Sequence, residues 1–144
     1  MSKHDRQSFL GEASEQIIKA TTVGLVGLGG GGSHVVQQLA HIGVERYVLV
    51  DPDVIEESNL NRLVGGTLVD VAARAEKAAI AERVIRAVVA NPKIDIHQCS
   101  WQEAAVALKG CDVIISESPR FLRRLNTLRG LSHEQVEQVL IRGP

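Results

Sequence analysis

The residues Gly27-Leu28-Gly29-Gly30-Gly31-Gly32 satisfy the spacing G-x-G-x-x-G. Glycines at those positions let a backbone turn tightly and come close to a phosphate. A helix starting directly after them adds free N–H groups and the positive end of its dipole. Asp51 lies 19 residues beyond Gly32, where a carboxylate can accept hydrogen bonds from ribose hydroxyls. That pairing points to a bound nucleotide, but a glycine loop does not by itself choose between NAD, FAD and ATP.

The loop is useful only if a strand delivers it and a helix leaves it. Residues 21–26 form an apolar run with few charges, the pattern of a strand covered on both faces. After the glycines Ser33 is expected to cap a helix burying Val35, Val36, Leu39 and Ala40 and ending near Gly43. Residues 46–50 read as a second strand ending at Asp51, and 52–69 as mostly loop. The longest helix is expected from Arg74 to about Val89, with Ile80, Val84, Ile85 and Val88 at helical spacing before Asn91-Pro92. Residues 93–98 alternate like a strand, 101–108 read as a short helix, and 112–115 as a buried strand. A first helix over 8–20 and a last one over 119–129 complete the reading. Strands alternating with helices imply an α/β, Rossmann-like, doubly wound, mostly parallel sheet, with 1–144 as one domain.

Composition narrows the classes. Hydrophobic residues make up 44% and charged residues 23% of the 144, which suits a globular core and excludes wholesale disorder. The net charge of −1 and an aromatic content of 3% argue against a nucleic-acid partner. No apolar run approaches a membrane span, and the polar start Met1-Ser2-Lys3-His4 lacks a signal core. A cytoplasmic protein is expected. Cys99 and Cys111 form no CxxC pair, so no zinc is expected, and both read as packing cysteines. His34 reads as structural and Trp101 as core.

The stretch after Asp51 is more specific than the loop. Asp51-Pro52-Asp53-Val54-Ile55-Glu56-Glu57-Ser58-Asn59-Leu60-Asn61-Arg62, followed by Lys77, resembles the ThiF/MoeB/ubiquitin-activating enzyme superfamily. Those enzymes adenylate the C-terminal glycine of ubiquitin-like proteins. Asp-x-Asp, Ser-Asn-Leu-x-Arg and a later lysine carry the likeness, and Asp5-Arg6-Gln7 resembles the family's Arg-Gln opening. The resemblance runs from about residue 5 to residue 126. It implies that Gly27, Gly29, Gly30 and Gly32 line the phosphates and adenosine of ATP, and that Asp51, in the Asp51-x-Asp53 pair, holds the ribose. It implies further that Asn59, Arg62 and Lys77 contact the phosphates and that Arg6 reaches into the neighbouring subunit of a homodimer. The family's magnesium-binding aspartate stands nine residues before an asparagine; counting back from Asn126 reaches Glu117. A small ubiquitin-like protein ending in Gly-Gly is the implied partner.

The chemistry suits those residue types. A carboxylate attacking the α-phosphorus of ATP is already ionised at neutral pH and needs no general base. Alignment and neutralisation of phosphate charge do the work, and Arg62, Lys77 and Arg6 supply cations for it. Two departures from the family pattern stand out. The strand before Glu117 is shorter than expected and ends in glutamate where the family carries aspartate, which moves the carboxylate. Catalytic domains of the family are also longer than this chain, so the chain reads as their nucleotide half, a fold incomplete relative to the family. Two alternatives follow: a non-catalytic nucleotide-binding or dimerisation remnant, and an NAD- or FAD-binding oxidoreductase domain.

Overall fold

The structure, a computed structural model, describes residues 11–117. The expectations on Arg6, on residues 119–129 and on Asn126 fall outside that range. Helix α1 (Glu12–Ala20) precedes strand β1 (Thr22–Val26); α2 (Gly30–Ile42) leads to β2 (Arg46–Val50). A 3-10 turn (Glu57–Asn59), α3 (Leu68–Ala73) and α4 (Lys77–Arg86) then lead to β3 (Lys93–His97), and α5 (Ala105–Lys109) to β4 (Val113–Ser116). The four strands form one sheet in the order β3-β2-β1-β4, and every pairing is parallel. Parallel neighbours require a crossover, and the helices between strands provide it.

Side chains alternate across the sheet and feed two cores. Val23 and Leu25 of β1 and Tyr47 and Leu49 of β2 meet Val35, Val36 and Ala40 of α2 and Ala78, Ala81 and Ile85 of α4. On the opposite face Val26, Val48, Val50 and Ile114 meet Ala104, Leu108 and Cys111. Helices on both faces make the sheet doubly wound, as the alternation of elements implied. Leu25, Leu49 and Ile85 are fully buried, which contributes about 1.5–3 kcal/mol each. Gly24 faces the second core; a Cβ there would sit 2.9 Å from Cys111 Sγ. The glycine therefore lets the Leu108–Cys111 segment settle onto β1. Tyr47 is buried with its hydroxyl lacking a hydrogen-bond partner among the described residues, and burial pushes its ionisation upward.

Four boundaries differ from the sequence reading. Helix α2 starts at Gly30 with Gly29 as its cap residue, so Ser33 lies inside the helix and does not cap it. Residues 68 and 69, read as loop, and 70–73, which carry no assignment, form α3, started by Thr67: its hydroxyl accepts the Asp70 N–H, and the Asp70 side chain accepts the Thr67 N–H. The helix expected from Arg74 starts only at Lys77, because Arg74 ends α3 with φ 52°. At 13 residues α2 is longer than α4 at 10. The short helix expected over 101–108 begins at Ala105, after a run of turns.

Candidate functional site

The chain runs outward from β1 to β2 and β3, then returns to place β4 on the other side of β1. This reversal is the switch point at which open α/β sheets form a crevice at their strand ends. Two segments leave the sheet there, the glycine loop after β1 and Glu117 after β4. Gly27 adopts φ +90°, a left-handed conformation that glycine takes without strain. Its N–H donates to the Val50 carbonyl at 3.0 Å. At Gly32 a side chain would collide with the Gly27 carbonyl oxygen, so the turn into α2 closes only around hydrogen.

Asp51 stitches this turn to the end of β2. Its Oδ2 accepts the Leu28 N–H at 2.7 Å and its Oδ1 accepts the Asp53 N–H at 2.8 Å. The residue is only 5% exposed. The sequence reading gives this carboxylate a ribose; its two bonds to backbone N–H groups make it a structural tie as well. The Asp53 carbonyl accepts the Lys77 N–H at 3.1 Å, and the Lys77 ammonium lies 3.6 Å from Asp53 Oδ2. An antiparallel bridge between Val54 and Glu76 completes the clip. Lys77 is thereby held at the start of α4 with its side chain largely buried.

These groups surround a pocket of about 400 Å³, within the usual size range of small-molecule sites. Gly27, Gly29, Asp51, Asp53, Lys77 and Glu117 line it, joined by Cys99, Ser100 and Trp101 from the segment after β3. Trp101, expected in the core, is half-buried against the second core and forms part of the pocket wall. Cys99 shares that wall, whereas Cys111 is buried. Three carboxylates against one ammonium leave the wall negative. Glu117 is an exposed oxygen donor beside the loop, the kind of group that joins phosphate oxygens around magnesium.

Asn59 and Arg62 are not in the wall. Asn59 is buried, and its Oδ1 accepts the Glu56 N–H at 2.9 Å, closing the 3-10 turn. Arg62 lays its aliphatic stem over Gly30, where a Cβ would meet its Cδ at 2.9 Å. Its guanidinium donates to the Ser58 carbonyl at 3.1 Å and to Asn61 Oδ1 at 3.2 Å. It thus stands beside the glycine loop without reaching into the pocket.

Two fasteners of this segment went unread in the sequence. Ser33 Oγ accepts the Val64 N–H at 3.0 Å and donates to the Gly30 carbonyl at 3.1 Å, tying the segment to α2. Arg83 holds both oxygens of Asp70, at 2.8 and 2.6 Å, and donates to the Gly65 carbonyl at 2.7 Å. The guanidinium, helped by Thr67, keeps the Asp70 carboxyl well below the usual carboxylate range. The Thr67-x-x-Asp70 spacing is a capping-box signature and was the readable signal.

Comparison with known proteins shows the family and the fold. The chain is 32% identical over 128 residues to the SAMP-activating enzyme E1 of Haloferax volcanii, covering 85% of this chain and 46% of that protein. It is 30% identical over 131 residues to the sulfur carrier protein adenylyltransferase of Thermus thermophilus, covering 86% and 47%. The chain thus spans under half the length of these curated relatives. Among solved structures, E. coli tRNA N6-threonylcarbamoyladenosine dehydratase in complex with AMP superposes with a TM-score of 0.69 at 23% identity, over 77% of this chain and 46% of that one. E. coli MccB with MccA-N7isoASN superposes at 0.75 and 22% identity, over 88% and 40%. At such identities the superpositions speak for the fold alone. No helix among the described residues is long and apolar enough to cross a membrane. The ThiF family model matches residues 2–121, a span that takes in the glycine loop, the Asp51 tie, the Arg62 segment, Lys77 and Glu117, and the chain belongs to that family.

Proposed function

We propose that this chain is the nucleotide-binding module of an adenylyltransferase. In this reading it binds ATP and joins AMP to the C-terminal carboxylate of a small ubiquitin-like protein ending in Gly-Gly. The observation that carries the reading is the convergence of the glycine loop, Asp51, Lys77 and Glu117 on one pocket at the strand ends. The order of the sheet suits a nucleotide laid across it. Phosphates meet the N–H groups of the loop and the start of α2, between β1 and β4. Ribose hydroxyls meet Asp51 at the end of β2, whose oxygens each have a second lone pair beyond the backbone bonds. The base lies toward Cys99, Ser100 and Trp101 beyond β3.

The reaction then needs positioning more than proton transfer. The acceptor carboxylate attacks the α-phosphorus, the bond to the bridging oxygen breaks, and pyrophosphate leaves with the electron pair. Lys77 offsets phosphate charge from the start of α4, and the family resemblance assigns Arg62 and Asn59 to the phosphates, which Arg62 would meet by turning its guanidinium from Ser58 and Asn61 toward the loop at Gly30. Arg6 of the neighbouring copy in a homodimer adds another cation. Glu117 would hold magnesium, which would supply charge neutralisation for a triphosphate in a pocket with three carboxylates and one ammonium. Alignment of this kind is worth roughly 7–11 kcal/mol of a barrier.

The test is pyrophosphate–ATP exchange with ubiquitin-like proteins ending in Gly-Gly, run beside Arg62→Ala. Exchange that depends on the Gly-Gly tail and fails in Arg62→Ala is the expected result. ATP binding without exchange by any such protein would favour a non-catalytic nucleotide-binding role.

A further inference from the structure

The end of β4 brings a negative charge into the loop meant for phosphate. Glu117 Oε1 accepts the N–H of Gly32 in the first turns of α2, across 85 residues of sequence. The same oxygen lies 2.5 Å from where a Cβ at Gly31 would stand. Its other oxygen lies 3.5 and 3.6 Å from the corresponding points at Gly27 and Gly29. The Glu117 N–H donates to the Val26 carbonyl at 3.3 Å, which fixes its backbone beside the loop. Only a loop stripped of side chains admits a carboxylate this far. An aspartate, one methylene shorter, would reach less far from the same backbone position.

We infer that Glu117 is a built-in anion of the glycine loop: in the nucleotide-free chain its carboxylate takes the N–H groups and dipole end that phosphates need, and it must swing out before they bind. The inference rests on the nucleotide reading above. A helix N-terminus favours one anion and two cannot share it, since like charges at contact distance repel. Glu117 is exposed at the chain surface, so a rotamer change frees the loop without unfolding the sheet. A site occupied by its own side chain binds ligand with an affinity reduced by the fraction of time it stands open.

The experiment is calorimetric titration of the full chain, E117Q and E117A with ATP and with adenosine, all in chelator. Glutamine keeps the shape of the side chain and removes its charge; alanine removes the amide's own hydrogen bonds as well. ATP is expected to bind both variants about ten-fold more tightly, a loop open about one-tenth of the time, while adenosine binds all three chains alike. The ligand-free E117A chain is expected to melt below the unmodified chain, because it loses the contact to α2. Equal ATP affinities, or unchanged ligand-free melting of E117A, with adenosine still binding overturn the built-in anion and leave the nucleotide reading standing. Failure of all three chains to bind either ligand overturns both.

Discussion

The two halves of the site are built by different means. The turn from β1 into α2 is held by the Gly27 N–H bond to the Val50 carbonyl, by backbone N–H groups donated to the one buried Asp51 carboxylate, and by sterics that tolerate only hydrogen. The segment from Glu56 to Lys77 is held by side chains: a capping box at each of two short elements, the Ser33 hydroxyl, the Arg83 fork and the Lys77–Asp53 pair. Cations sit on the second half, while the fixed N–H groups belong to the first. A rigid cradle and a clipped-on arm differ in what breaks them. Backbone geometry fails when a single methyl is added, whereas side-chain fasteners yield one at a time and respond to acid.

Gly32→Ala should show the contrast most strongly. The added methyl meets the Gly27 carbonyl, and relieving that overlap costs roughly 3 kcal/mol. Thermal melting should drop sharply and nucleotide binding should vanish; a melt within error of the unmodified chain contradicts the steric account.

Asp51→Ala should come next. It leaves the buried Leu28 N–H without its acceptor, at a cost of about 1–3 kcal/mol, and removes the ribose contact as well. Asp51→Asn separates the roles, since one side-chain oxygen still accepts a backbone N–H. If Asp51→Asn restores melting but not AMP affinity, Asp51 binds ribose in addition to holding the loop.

Acid should loosen the arm at Asp70. Asp70 has its carboxyl lowered by Arg83, so its contribution to stability is complete above the unfolded value of about 3.9. That contribution is lost as pH falls below it toward the lower folded value. Denaturant melts of the unmodified chain should lose stability below about pH 4, and Asp70→Asn should flatten that limb. An identical acid limb in both chains removes Asp70 from the account. Arg62→Ala should be the mildest for stability, within about 0.5 kcal/mol, because the residue is exposed. Its effect belongs in ATP affinity, read by titration.

The same contrast separates what the sequence discloses from what it conceals. The strand at Arg46–Val50 and the acidic residue after it are legible because an uninterrupted apolar run has few readings when a glycine loop stands one helix upstream. The helices α3 and α4 are harder. Leu68 and Val69 are highly exposed, so α3 lacks the apolar periodicity that marks a helix, and its start rests on Thr67 and Asp70. Arg74, the expected start of the long helix, is not a residue type that announces a left-handed turn. Gly24, Ser33 and Glu117 act through partners far along the chain, Cys111, Val64 and Gly32. No local pattern encodes those contacts. The glycine loop was therefore readable as a cradle, but not as one that its own chain fills.

Trp101 offers the most direct test of the central claim, that ATP lies across the strand ends from the glycine loop to the segment after β3. It is the only tryptophan in the chain and part of the pocket wall, so its emission reports on that wall alone. Titration with ATP and magnesium should change the emission saturably, and NAD should do so only weakly or not at all. Tighter binding of NAD than of ATP, or a saturating ATP isotherm by calorimetry with no change at Trp101, would contradict it.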